Sequence, residues 1–93
     1  MYFECHITMV GDYKLIQQLV EATDWSFSAI NGDIMYGNGT KCYATRHYNM
    51  KKGIDKVLTS LHNVADALAQ NGAEVIRRKV EIVLYDSKVK HGD

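Results

Sequence analysis

Apolar and polar residues alternate from Tyr2 to Met9. Phe3, Cys5, Ile7 and Met9 fall on one side of a strand, and Tyr2, Glu4, His6 and Thr8 on the other. The period then changes. Val10-Gly11-Asp12 reads as a turn, Asp12 can cap a helix, and Leu15, Ile16, Leu19 and Val20 recur at helical spacing up to Thr23. Trp25 to Ile30 alternates again and predicts a second strand, with Trp25, Phe27 and Ala29 toward the core. Asn31-Gly32-Asp33 is a turn signal. The aperiodic stretch from there to Thr40 holds Gly32, Gly37 and Gly39, and an exposed loop between two strands is expected. It has no G-x-x-x-x-G-K pattern and feeds no helix, so it does not read as a phosphate loop.

Lys41 to Tyr48 predicts a third strand. Tyr43, Thr45 and His47 point outward and Cys42, Ala44 and Tyr48 inward, with Arg46 breaking the inward set. Asn49 can cap the next helix, in which Ile54, Val57, Leu58, Leu61, Val64, Ala65 and Leu68 keep one apolar stripe until Asn71-Gly72. The last strand is expected from Glu74 to Tyr85. Ile76, Val80, Ile82 and Leu84 take one face, and Arg77, Lys79, Glu81, Val83 and Tyr85 the other. Arg78 falls on the inward side, where its stem can run to the rim.

Strand, helix, strand, strand, helix, strand is the split β-α-β order of a ferredoxin-like α+β sandwich. Right-handed crossovers put both helices on one face of a four-stranded antiparallel sheet, in spatial order fourth, first, third, second. Residues 1–86 are expected to form this one domain, and 87–93 a polar tail.

Composition narrows the function classes. The chain has 93 residues, and 11 Lys plus Arg balance 11 Asp plus Glu. A neutral chain has no bulk attraction to nucleic acid or anionic membrane, and little repulsion against its own copies. A chain this short buries only about two-thirds of its unfolded surface, so a homo-oligomer is expected. No apolar run is long enough to span a bilayer, and the first residues lack a signal-peptide pattern. Cys5 and Cys42 sit on strands and read as buried thiols in a reducing cytosol.

The chemistry gathers on the open face of the sheet. The outward sets are Glu4, His6 and Thr8, then Tyr43, Thr45 and His47, then Arg77, Lys79, Glu81 and Tyr85. One register of the first and third strands sets His6 against His47 and Thr8 against Thr45. A two-residue slip leaves the histidines diagonal neighbours. Two imidazoles beside hydroxyls and cations suit phosphate chemistry: one His as base, the other as acid, with polar groups on the phosphoryl oxygens. Thr8, Thr45, Tyr43 and Tyr85 would hold oxygens, Lys79 would stabilise charge, and Glu81 would orient a histidine or neutralise Lys79. His62 reads as a boundary residue of its helix, and His91 lies in the tail.

His6-Ile7-Thr8 resembles the His-x-Thr strand motif of the two-histidine phosphoesterases. That resemblance implies cleavage of 2′,3′-cyclic or 2′–5′ phosphodiesters without a metal or other cofactor. The family carries two such motifs in a duplicated chain, whereas the second histidine here sits in Thr45-Arg46-His47-Tyr48-Asn49. The chain as a whole is similar to small phage and bacterial proteins that begin Phe-Glu-Cys-His-Ile-Thr and end with the pattern of Lys79, Glu81, Tyr85 and Asp86. That similarity implies a fold and a site.

The expectation is a metal-independent phosphodiesterase, or a protein that binds a nucleotide or other small phosphorylated ligand. The alternative is a non-enzymatic ligand-binding or homo-oligomeric module, since fold does not fix function. Two further readings compete. Zinc could be held by His6, His47 and Glu4 or Glu81. RNA could stack on Tyr43 and Tyr2, although the RNA-recognition signature is missing.

Overall fold

The alternation that begins at Tyr2 becomes strand β1, Tyr2–Gly11, in a computed structural model that describes residues 1–29 and 40–88. Helix α1 (Tyr13–Glu21), β2 (Ser26–Ala29), β3 (Thr40–Asn49), α2 (Ile54–Gln70) and β4 (Glu74–Val83) follow, with a short 3-10 turn at Met50–Lys52 before α2. The glycine-rich loop of the sequence reading and the last five residues of the tail lie outside the described residues.

The four strands form one antiparallel sheet in the order β2-β3-β1-β4. β1 and β3 are central and β4 is an edge. The helices touch one another and the sheet. Their buried residues, Ile16 and Val20 of α1 with Val57, Leu61, Ala65 and Leu68 of α2, join Phe3, Cys5, Ile7, Met9, Cys42 and Ala44 in one core. This α+β arrangement, with one sheet face covered and one open, is consistent with a ferredoxin-like fold. Among the described residues, no helix is long and apolar enough to cross a membrane.

Local chemistry explains the element boundaries. Asp12 caps α1, its Oδ1 accepting from the Lys14 and Leu15 amides at 3.0 and 3.2 Å. Replacing Asp12 with Ala leaves two helix amides without a partner and should cost about 1 kcal/mol. A lowered urea midpoint with unchanged slope would show it, and an unchanged midpoint would mean that water caps the helix equally well. Asn49 does not cap α2 as expected. Its Oδ1 accepts from Lys51 N at 2.8 Å and caps the 3-10 turn. Gly53 then starts α2 with φ 81°, in the region that favours glycine. Ile54 and Leu58 of the expected apolar stripe remain substantially exposed at the start of α2.

β4 departs from simple alternation. Thr8 stands opposite Arg77, but Met9 stands opposite Val75, so Ile76 is the extra residue of a bulge. Val75 therefore packs against the core where Ile76 was expected, and Ile76 is exposed. Beyond the bulge the faces are as read: Val80 opposite Cys5 and Ile82 opposite Phe3 on the helix side, Lys79 and Glu81 on the open side. Arg78 sits on the helix side opposite Ile7 and reaches past the core edge, with Nη1 2.8 Å from His62 Nδ1 and Nη2 2.7 Å from Asp66. The strand ends at Val83, so Leu84 and Tyr85 lie past it.

Candidate functional site

Pairing turns the outward residues into rows across the open face. His47 of β3, Glu4 of β1 and Glu81 of β4 form one row. The next holds Ser26, Thr45, His6 and Lys79, and the third Ser28, Tyr43, Thr8 and Arg77. The second and third rows line a groove of about 330 Å³, formed by His6, Thr8, Ser28, Tyr43, Thr45, Arg77 and Lys79. Thr8 is the floor: it lies on the open face and is still only 7% exposed.

The register differs from the one that would pair the two histidines. His6 stands opposite Thr45, Thr8 opposite Tyr43, and His47 opposite Glu4. The histidines share a face as diagonal neighbours, with a carboxylate between them. Glu4 Oε1 is 2.5 Å from His6 Nε2, and Glu4 Oε2 is 3.2 Å from His47 Nε2. The other ring nitrogen of His6, Nδ1, is 3.1 Å from Thr45 Oγ1.

A carboxylate only accepts, so Nε2 donates to Glu4. In the neutral ring Nδ1 is then the acceptor, and it faces the groove beside Thr45. Glu4, His6 and Thr45 form a carboxylate, imidazole and hydroxyl relay. His47 is not part of the groove wall. It lies behind Glu4 with its ring 4.7 Å from that of Tyr2.

The cationic wall is ordered by a carboxylate as well. Lys79 Nζ lies 3.0 Å from Glu81 Oε1. Its hydrogen bond and then its charge hold the Glu81 carboxyl below the ordinary carboxylate value, helped by His6 and Arg77. Glu81 also lies 3.7 Å from His6 Nε2. The thiols take no part: Cys5 and Cys42 are buried on the helix side, and burial pushes both upward in pKa.

Of the residues singled out in the sequence, the groove gathers His6, Thr8, Tyr43, Thr45 and Lys79. Glu81 and His47 stand in the adjoining row. Tyr85 is 76% exposed beyond the end of β4 and is not part of the groove wall. Glu4 and Ser28 were not given a phosphate-handling role, and Arg77 was counted among the cations without a role of its own. Strand parity already put Glu4 and Arg77 on the open face, and the alternation of Phe27 and Ala29 put Ser28 there. What parity lacks is the row in which each stands.

No protein-family model matches this chain, and neither does any curated protein or solved structure.

Proposed function

We propose that the open face of the sheet binds a small phosphorylated ligand, a nucleotide phosphodiester, and cleaves it without a metal. The frame would be a ferredoxin-like βαββαβ sandwich working in a reducing cytosol. One observation carries the reading: His6, with its Nε2 turned to Glu4, presents Nδ1 to a groove that also holds Arg77, Lys79 and three aliphatic hydroxyls, those of Thr8, Ser28 and Thr45. Two cations and several hydroxyls match the oxygens of a phosphoryl group.

A water that attacks phosphorus would give its proton to His6 Nδ1, the bond from phosphorus to the leaving ester oxygen would break, and that oxygen would take a proton from solvent at the open side. Glu4 would stabilise the imidazolium so formed, as the carboxylate of a triad does. His47 would act as a positioning residue, because it touches Glu4 and lies outside the groove. This replaces the division of labour in which one histidine is base and the other acid.

The test is a screen of 2′,3′-cyclic nucleotides, cyclic dinucleotides and 2′–5′ linked dinucleotides with chelator present, read by turnover and by calorimetry. At least one class should bind and turn over. Changing Arg77 and Lys79 together to Ser should weaken binding tenfold or more, since charge-assisted hydrogen bonds contribute about 1.5–3 kcal/mol each. Binding of none of these ligands, or equal binding by the double variant, would remove the reading.

A second reading rests on a different observation. Ile54 and Leu58 of α2 and Ile82 on the helix side of β4 remain exposed, Ile82 at 57%. The β4 edge itself is poorly suited to pairing, because it carries a bulge, Lys79 and the inward Arg78. The apolar residues are thus the surface on which two copies of this neutral chain would associate. Ile82→Lys should then shift the sedimentation of the protein to the monomer, and a wild type already monomeric at high concentration would dispose of the idea.

A further inference from the structure

The row beside the groove has a donor set of its own. Glu4 and Glu81 stand directly opposite one another on the open face. Like charges in that position repel, and here His6 and His47 partner Glu4 while Lys79 partners Glu81. One donor atom from each of Glu4, His6 and Glu81 lies within 4.8 Å of the other two. His47 Nε2 lies 3.2 Å from the other oxygen of Glu4, Oε2, and holds that carboxylate from the β3 side. Donors at zinc's bond lengths on tetrahedral corners stand about 3.3–3.6 Å apart. The observed 2.5 Å between His6 and Glu4 and 3.7 Å between His6 and Glu81 bracket that spacing.

We propose that Glu4, His6 and Glu81 form a site for one divalent transition-metal ion of the zinc class, with water completing its coordination. The mixed imidazole and carboxylate set selects zinc over magnesium and calcium, which take oxygen. Lys79 would leave Glu81 when the ion arrives. The free thiols do not compete, being buried on the other side of the sheet.

Occupation would change the groove. A neutral imidazole whose Nε2 lone pair is on a metal carries its proton on Nδ1. His6 Nδ1 would then donate to Thr45 Oγ1 and could no longer accept a proton from an attacking water. Zinc would therefore inhibit the metal-free reaction. This last consequence rests on the function proposed above, whereas the site does not.

Calorimetric titration of the metal-stripped full chain with zinc chloride, and separately with magnesium chloride, tests the site without any turnover assay. One zinc per chain and no magnesium heat are expected. Glu81→Gln and Glu4→Gln, each checked for folding by circular dichroism, should weaken zinc binding at least tenfold. His62→Ala, on the far side of the sheet, should bind like wild type. No zinc heat from the folded wild type, or wild-type affinity in both ligand variants, overturns the site. Zinc binding in a protein that turns over no phosphodiester would keep the site and discard only the inhibition.

Discussion

His6→Ala should lose the proposed phosphodiester turnover by a factor of about 10²–10⁴, the range that a positioned general base contributes. In activation free energy this is about 3–5 kcal/mol. The loss should appear in kcat, because in the proposed reaction His6 takes a proton only as the bond breaks, while Arg77 and Lys79 would continue to hold the phosphate. Folding should be little affected. His6 lies on the open face with its side chain 24% exposed, so truncation leaves no core cavity. Its removal does leave Glu4 without one of its partners, but His47 remains at 3.2 Å. His6→Asn offers a second check: it can keep a hydrogen bond to Thr45 or Glu4 and cannot take the proton. Both variants should be equally inactive. If either folded variant keeps more than a tenth of the wild-type rate, His6 is not the base.

The neighbouring residue should behave in the opposite way. Ile7 is fully buried in the middle of β1 and belongs to the core cluster with Ile16, Val57 and Leu61. Ile7→Ala removes apolar contacts from both helices' side of the sheet and leaves a cavity that a close-packed interior closes only in part. The expected cost is about 2–5 kcal/mol. A domain of this size has a total stability on the order of 5–14 kcal/mol, so the variant gives up a large share of it. At about 4–8 °C of Tm per kcal/mol, thermal unfolding should fall by more than about 8 °C. Where the protein remains folded, turnover per folded molecule should stay near wild type, because Ile7 does not touch the groove. Denaturant unfolding beside single-temperature kinetics separates the two effects. An Ile7→Ala protein as stable as wild type would mean that the two faces of β1 have been misassigned.

That one strand holds both results was legible in its alternation. Parity along β1, β3 and β4 put His6, Thr45 and Lys79 on one side and Ile7, Ala44 and Val80 on the other, and the pairing of the strands agrees. Asp12 as a cap was legible because few side chains can accept from two amides at a helix start. The bulge at Ile76 was not. Val75, Ile76 and the alternating residues after them fit an unbroken strand equally well until β1 is laid beside them. The exposed positions of Ile54 and Leu58 were hidden for a similar reason. Helical spacing shows a stripe, and only the extent of the sheet beneath α2 decides how much of that stripe is covered. Asn49 was read correctly as a cap but assigned to the wrong turn, since capping chemistry does not say whether the next turn is 3-10 or α.

The site divides along the same line. On β1 and β3 the sequence alone determined which residues face the solvent side of the sheet, because side chains alternate with a period of two and an odd slip would drive His6 into the core and Ile7 into water. It left every even slip open. Shifting β3 by two residues against β1 keeps each side chain on its face, so the alternation alone does not disfavour it, and it changes every neighbour. Tertiary pairing chose the shift that sets His6 against Thr45 and His47 against Glu4. Two imidazoles that could have met across a strand pair are separated by a carboxylate instead. The relay of Glu4, His6 and Thr45 follows from that choice of register, and the β1–β4 register sets Glu81 opposite Glu4 beside it.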